Sequence, residues 1–438
     1  MDAADLDRRA RTLSDCIPPL LVSRLLELGH GKEVEFQVGR GEWFCAREWA
    51  RLLGDQGRQA EALAVLAPYV ATGWWPAARA QAELLESWGR AAEAIEFTRP
   101  YTRTVGLSLE FFGRLLARHG HRDEAIALLS PGMDDWGLAT ALVEVAEGAG
   151  RDEDLAAQLA AKIPAQHRCA DPWCCRGLDP DTAIHLLAVI RERQGRLDEA
   201  IALLHTRRFS SGKRDQLADL LARHDRIEEL REYAATEHHG LAAQRLAELL
   251  AERGDIDGAI AVYRQPSARA CGDPFELAQL LVRHGRVEEA IEVLRALTDE
   301  PDGAEDWIVE ALCTLYADHG RARDGLAYLD LLTARRDGEE EWDFFRIRLQ
   351  LLAGCGLLDE AIEQARAHPE GNTAAAAWTI SDLLAEHGRT EEAVAVLTAH
   401  APAHSHLLAG HLITLGRIKE AVAVLQLDEA SVRATSIT

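Results

Sequence analysis

The densest group of metal-binding residue types consists of three cysteines and one histidine: His167, Cys169, Cys174 and Cys175. Thiolate and imidazole are the ligands that a structural zinc ion prefers, but two adjacent cysteines do not match the spacing of a zinc finger. We therefore interpret this stretch as a loop whose cysteines pack against neighbouring helices, and we expect no metal site. A structural zinc ion at Cys169, Cys174 and Cys175 is the alternative.

Histidines recur just before turn signals along the chain. They are His119, His224, His284, His319 and His387. They lie too far apart to share a metal ion, and a histidine at a helix C-terminus interacts favourably with the helix dipole. A denser group comprises His400, His404, His406 and His411, and it has no acidic or cysteine partner nearby. We assign both sets a structural role.

No signature of a catalytic site is present in the sequence. Ser211-Gly212-Lys213-Arg214 lacks the upstream glycine and the following hydroxyl residue of a phosphate-binding loop. Ser210 and Lys213 have the S-x-x-K spacing, but its companion motifs are missing. We expect no catalytic residue, no cofactor and no enzymatic activity.

The chain is strongly acidic, with 438 residues, 48 basic and 72 acidic side chains, and a formal net charge of −24. Its hydrophobic content of 47% is that of a globular protein. Phosphate binding needs a basic face, so this charge disfavours nucleic acid as a partner. The same charge disfavours an anionic membrane surface.

The first thirteen residues carry acids and arginines where a secretory signal needs an apolar stretch. No run of eighteen apolar residues follows, and the eight cysteines are scattered as in reduced proteins. We therefore expect a cytoplasmic protein. Alanine and arginine are abundant and Asn372 is the only asparagine, which is typical of a GC-rich bacterial genome.

One pattern recurs about every 33 residues: a leucine pair, Gly, usually Arg, and then Glu-Ala-Ile. Clear copies read LLARHGHRDEAIALL around Gly120 and LLVRHGRVEEAIEVL around Gly285. Twelve copies run from Gly57 to Gly416, with Asp225 in place of glycine in one of them, and a degenerate copy surrounds Gly29.

The chemistry of each copy predicts two antiparallel helices. The glycine ends the first helix, because only glycine readily adopts a left-handed conformation. The acid three or four residues later begins the second helix, where it faces the positive end of the dipole. Small residues seven before the glycine and five after it, such as Ala278 and Ala290, allow the two helices to approach closely.

With these features the chain resembles the tetratricopeptide-repeat family over residues 13 to 426, and it is similar to long bacterial repeat proteins of the actinobacterial type. The resemblance implies an all-α fold, a right-handed α-solenoid of about 12–13 helix-turn-helix repeats. Each pair must bury its apolar face on its neighbours. The one wide spacing, between Gly150 and Gly195, suggests an N-terminal block with a capping helix (1–162), a Cys/Pro insertion (163–180) and a C-terminal block with a short tail (181–438).

In the resembled family the first helix of each pair lines a concave groove. The resemblance therefore implies a set of groove residues that begins basic and turns acidic. These residues are Arg47, Arg51, Arg79, Glu83, Glu110, Arg114, Glu144, His185, Asp215, Asp219, Gln244, Glu248, Phe275, Gln279, Trp307, Arg346, Trp378 and Asp382. Glu192 lies on the same predicted face.

Arginine forks bind carboxylates in a bidentate manner, so the early arginines are predicted to hold an acidic group of a partner. The alternative is that they pair with glutamates of neighbouring repeats. Tryptophans also concentrate early, including Trp43, Trp74 and Trp88, either as binding anchors or as the core of the capping end.

The sequence therefore predicts a non-enzymatic scaffold or adaptor that binds a protein or peptide with a basic segment. Two alternatives remain: a regulatory sensor that responds to a peptide or small ligand, and an accessory subunit of an enzyme complex with the structural zinc ion described above. A helical-repeat reader of nucleic acid ranks last, because most of the groove is predicted to be acidic.

Overall fold

The computed structural model describes residues 2–13, 16–103, 106–163, 178–206, 215–237, 240–264, 274–298, 306–335 and 342–435. Within these ranges the chain forms α-helices and two short 3-10 segments, Arg99–Arg103 and Ser130–Gly132, and no strand. The predicted all-α repeat of helix-turn-helix pairs is confirmed. The group around Cys169, Cys174 and Cys175 lies outside the described residues.

Helices alternate along the chain, so that even-numbered helices are the first of each pair and odd-numbered helices are the second. Their bounds are α1 Ala3–Thr12, α2 Pro19–Glu27, α3 Gly31–Gly39, α4 Trp43–Asp55, α5 Gln59–Val70, α6 Trp75–Ser87, α7 Ala91–Thr98, α8 Gly106–Arg118, α9 Arg122–Leu129, α10 Trp136–Val145, α11 Asp152–Ala160, α12 Pro180–Arg193, α13 Leu197–His205, α14 Gln216–Arg223, α15 Ile227–Thr236, α16 Leu241–Glu252, α17 Ile256–Tyr263, α18 Pro274–Arg283, α19 Val287–Thr298, α20 Asp306–Asp318, α21 Ala322–Arg335, α22 Trp342–Gly354, α23 Leu358–Ala367, α24 Ala374–Glu386, α25 Thr390–Thr398, α26 Ala401–Thr414 and α27 Ile418–Thr435.

The turn within each pair has the predicted geometry. The anchor glycines adopt positive φ, from 69° at Gly150 to 86° at Gly120. Asp225 stands at this position in its own repeat and adopts the same left-handed conformation, with φ at 59°. The degenerate copy is a true repeat, because Gly29 has φ at 82° between α2 and α3.

The small residues lie where the paired helices approach most closely. Ala278 and Ala290 are buried. A Cβ placed on Gly113 would come within 2.7 Å of Leu129 on the second helix of the same pair. A larger side chain there must push the helices apart, because such interiors are close-packed.

An arginine after the turn glycine joins successive repeats. Arg286 binds Glu289 of its own second helix at 2.6 Å and Asp257 of the preceding repeat at 2.8 Å. Arg417 likewise binds Glu420 at 2.7 Å and Glu391 of the preceding repeat at 3.0 Å. The hydrogen bond from Arg417 holds the pKa of Glu420 below its usual value. These acids therefore do more than face the helix dipole, because each also binds an arginine that the repeat pattern did not predict as its partner.

The contacts divide the chain into two units. One comprises Met1–Thr104 together with Ala317–Thr438, and the other comprises Val105–Tyr316. The boundary segment predicted at 163–180 lies almost wholly outside the described residues, so the division into N-terminal and C-terminal blocks stays a prediction.

Both ends of the chain contribute to one hydrophobic core in the first unit. Helix α2 packs against α26, and Val22 and Leu25 share a buried cluster with Leu408 and Leu412. The sequence predicts only that each pair is covered by its neighbours along the chain. Here the first pair is also covered by the last.

Candidate binding face of the first helices

Several first helices pack directly on the first helix of the next pair. Within the second unit α8 packs on α10, α10 on α12, and α14 on α16, whereas no two second helices of the described chain pack as closely. We call the surface that the even-numbered helices form within each unit the first-helix face of that unit.

Every groove residue implied by the sequence lies on a first helix, except Asp215, which immediately precedes one. None of them is buried. The exposed members are Arg51, Arg79, Glu83, Glu144, Gln279, Trp307 and Trp378. The half-buried members are Arg47, Glu110, Arg114, His185, Asp215, Asp219, Gln244, Glu248, Phe275, Arg346 and Asp382.

Asp215 is the N-cap of α14. One carboxylate oxygen accepts hydrogen bonds from the backbone N–H groups of Leu217 at 2.9 Å and Ala218 at 3.0 Å. The other accepts a hydrogen bond from the Tyr233 hydroxyl at 2.8 Å. This side chain therefore begins the helix, as expected for an aspartate at that position.

The basic start of the face is already neutralised within single helices. Arg47 and Arg51 both bind Glu48, at 2.8 and 3.1 Å. Arg79 binds Glu83 at 2.8 Å, one turn further along α6. A partner carboxylate would have to compete with these acids.

Arg114 is the early arginine that bridges two repeats. It binds Glu110 of its own helix at 3.3 Å and Glu144 of α10 at 2.8 Å. Burial lowers the pKa of Arg114, but the hydrogen bond and charge of Glu144 outweigh burial and raise it. The alternative of pairing across repeats therefore describes Arg114, and Arg47, Arg51 and Arg79 each form an ion pair within their own helix.

In the second unit, Glu192 accepts hydrogen bonds from two residues of the next repeat. Arg223 Nη2 lies 2.9 Å from Glu192 Oε2, and His224 Nε2 lies 2.8 Å from Oε1. Burial raises the pKa of Glu192, but the hydrogen bonds from Arg223 and His224 outweigh burial and hold this pKa below its usual value. Glu192 is therefore ionised at neutral pH.

The next helix carries a second charged group around Arg245. Its guanidinium lies 3.3 Å from Asp219, 3.3 Å from Glu248 and 3.4 Å from Glu252. One arginine thus serves three carboxylates. The acids of this face were predicted from the sequence, whereas Arg223 and Arg245 were not. Arg223 lies one turn after Asp219 on α14, and Arg245 lies one turn before Glu248 on α16.

A cleft of about 160 Å³ lies between α12 and α14. Apolar side chains of Ala188, Val189, Leu204 and Leu220 form its walls. The polar lining residues are His185, Glu192, Gln216, Asp219 and Arg223. The predicted groove residues His185 and Asp219 therefore meet at one concave site.

Aromatic and apolar side chains are exposed near both ends of the face in the second unit. Trp136 is 70% exposed and Leu107 is 65% exposed, at the starts of the adjacent helices α10 and α8. Phe275 and Trp307 form an edge-to-face pair with ring centroids 5.5 Å apart. Trp136 was missed as a site residue, although it lies four residues before Thr140 and eight before Glu144, which places all three on one side of α10.

The early tryptophans belong mainly to the core. Trp43 and Trp74 are buried, with ring centroids 4.9 Å apart, and Trp43 also contacts Tyr69 at 5.2 Å. Of the two interpretations of the early aromatics, the structure supports the capping core for this pair.

The described residues contain no group of three or more His, Cys, Asp or Glu side chains that could hold a metal ion. In the dense histidine group, His404 Nε2 lies 2.7 Å from the carbonyl oxygen of Ala374, and burial lowers the pKa of His411. No helix in the described ranges is long and apolar enough to cross a membrane.

The sequence matches no protein-family model and no curated protein. The solved structures to which the chain is similar include the following three. The first is Naa15/Naa10 bound to HypK-THB, with 15% sequence identity, a TM-score of 0.31, and coverage of 84% of this chain and 55% of that chain. The second is the pentatricopeptide repeat protein PPR10 from maize, with 14% identity, a TM-score of 0.32, and coverage of 94% of this chain and 71% of that chain. The third is the APC/C hetero-tetramer Cut9-Hcn1, with 12% identity, a TM-score of 0.32, and coverage of 83% of this chain and 74% of that chain. The chain spans just over half the length of the first of these. Similarity at this level says nothing about what the chain binds.

Proposed function

We propose that this chain is a non-enzymatic scaffold that binds a protein or peptide on its first-helix face. One observation carries the proposal. In the unit Val105–Tyr316, consecutive first helices present half-exposed polar side chains and exposed aromatic ones on one side, while the second helices cover the other. A face of this composition matches binding surfaces, in which aromatic and arginine anchors are set among polar groups.

The face is preorganised for binding. Its charged side chains are held by ion pairs such as Arg114–Glu144 and Arg223–Glu192, and its helices are fixed by the core beneath them. This chain therefore loses little conformational entropy when a partner binds. Trp136 and Trp307 supply exposed apolar area for anchoring.

The net charge of −24 steers a basic partner to the molecule. Three carboxylates surround the single guanidinium of Arg245, so this part of the surface has a local excess of negative charge that attracts a basic partner. A basic partner, a bacterial source and a cytoplasmic location are proposals that rest on the charge and composition of the sequence.

Capture of the partner with matched variants tests the proposal. Tagged wild-type chain is used to isolate the partner from the source cell, and binding of that purified partner is then measured. The double substitution Trp136→Ala and Trp307→Ala removes both exposed aromatic anchors. We expect at least tenfold weaker binding, because exposed aromatic anchors dominate interface energies.

Leu331→Ala is the matched control, since Leu331 is 48% exposed on the second helix α21. Its binding should equal that of the wild type. Equal affinity of the double variant and the wild type, with both folded by circular dichroism, would reject the first-helix face as the binding surface.

A further inference from the structure

We propose that the cleft between α12 and α14 receives one long cationic side chain, an arginine or a lysine, of the bound partner. This inference rests on the proposed function and names the chemistry that its central site recognises. Three independent features of the cleft support it: its size, its lining and the balance of charge around it.

The size of the cleft selects a single side chain. Its volume of about 160 Å³ is close to that of the cavity of ~150 Å³ that accommodates one benzene molecule in an engineered protein core. This volume fits the stem and head group of one extended residue.

The lining changes from apolar to polar in the way that an arginine or lysine side chain does. Val189, Leu204 and Leu220 offer aliphatic contacts for the methylene stem. Glu192 and Asp219 place carboxylates beside these walls, and their side chains retain 20% and 23% exposure. Long basic side chains bury their stems on apolar surface while their charge stays at the polar edge.

Among the described residues around the cleft, carboxylates outnumber basic side chains. Four carboxylates, on Glu192, Asp219, Glu248 and Glu252, are bound there by two arginines, Arg223 and Arg245, and His224 also contacts Glu192. The low pKa of Glu192 keeps it charged at neutral pH. A third guanidinium or an ammonium group would reduce this surplus, and charge-assisted hydrogen bonds to carboxylates are the strong ones.

The cleft lies between two successive first helices that do not pack closely on each other. Helices α10 and α12 pack on each other, and so do α14 and α16, whereas α12 and α14 of the described chain are further apart. Leu204 of the second helix α13 also lines the cleft. An anionic side chain would instead have to displace Glu192 from both Arg223 and His224.

Methyl NMR with small probes tests the inference without the partner. Val189, Leu204 and Leu220 carry methyl groups that line the cleft and report its occupancy. The full chain is titrated with N-acetylarginine amide and, separately, with the neutral isostere N-acetylcitrulline amide. We expect saturable shifts of these three methyl resonances with the arginine probe, with a dissociation constant on the order of 1 mM, and at least tenfold weaker binding of the citrulline probe.

Two variants and one control assign the effect to the carboxylates. Glu192→Gln and Asp219→Asn should each weaken the arginine probe at least fivefold, and two variants guard against misfolding of either. Glu228→Gln is the matched control, because Glu228 also binds an arginine, Arg231, but lies on the second helix α15. It should leave the titration unchanged.

Absence of shifts at the three methyl groups, or equal binding of the citrulline probe, would overturn the inference. Tighter binding of N-acetylglutamate amide would also overturn it, because the cleft would then recognise anions. These outcomes are separable from the proposed function, since loss of partner binding in the tryptophan double variant does not depend on what enters the cleft.

Discussion

The shared core of the two chain ends predicts that damage near the C-terminus will loosen the N-terminal helices. Leu408 is 1% exposed in the cluster that also contains Val22 and Leu25 of α2. Replacing a buried leucine with alanine costs ~2–5 kcal/mol, through lost burial and the cavity left behind. At tenfold per 1.4 kcal/mol, amides that exchange by opening of this core should exchange from about 30-fold to several thousand-fold faster.

Hydrogen exchange with mass spectrometry measures this effect helix by helix. In Leu408→Ala the amides of α2 and α3 should exchange faster, although they lie almost 400 residues away in sequence. Leu281→Ala is the control, since Leu281 is 0% exposed on α18 in the other unit. It should leave α2 and α3 unchanged.

Unchanged exchange of α2 and α3 in Leu408→Ala would refute the reasoning. So would an equal acceleration by Leu281→Ala, because the disturbance would then spread along the chain from pair to pair rather than through the contact between α2 and α26.

Three further predictions concern the repeat itself. Asp225→Gly should raise the urea midpoint, with a gain of up to ~1 kcal/mol, because the relief of a left-handed aspartate outweighs the loss of its exposed ion pair with Arg253; a lower midpoint would contradict this. Gly113→Ala should lower stability by ~1–3 kcal/mol, since the new methyl group meets Leu129; an unchanged midpoint would show that the pair can separate freely. The hydrogen bond from Arg417 lowers the pKa of Glu420 from its ordinary value of 4.5. The ion pair therefore stabilises the folded protein fully above pH 4.5, and this stabilisation is lost as the pH falls through the lower pKa that Glu420 has in the folded state. The urea midpoint of the wild type should therefore fall in that acidic window, and Arg417→Ala should show a smaller fall.

The local structure of the repeat was predictable from the sequence because it depends on single residues. A glycine such as Gly285 fixes the left-handed turn wherever it stands, and the small residues Ala278 and Ala290 mark the helix contact. Even the copy with Asp225 in place of glycine keeps the turn. These rules act over a few residues, so the sequence pattern contains them.

The environment of equivalent positions was not predictable. Trp43 and Trp136 both stand fourteen residues before their turn glycine, yet Trp43 is 6% exposed and Trp136 is 70% exposed. The difference arises because Trp43 packs against Tyr69 and Trp74. Which residues of distant helices meet is set by packing between repeats, which the pattern within one repeat does not contain.

The pairing of charges on the candidate site was also beyond the sequence. Glu192 and Asp219 were placed on the correct helices, but the contact of Glu192 with Arg223 and His224 depends on how α12 and α14 are set against each other. The meeting of α2 with α26 is a larger example. Contacts between helices that are distant in sequence depend on how all the repeats between them pack, and the residue types at one position do not determine this.

Photo-crosslinking in the source cell tests the central claim most directly. A photoreactive phenylalanine analogue is placed singly at Trp136 or Gln279 on first helices, or at Glu228 on a second helix. The first-helix face predicts a crosslinked partner from the first two positions and none from Glu228. A partner that crosslinks at Glu228 but at neither first-helix position would contradict it.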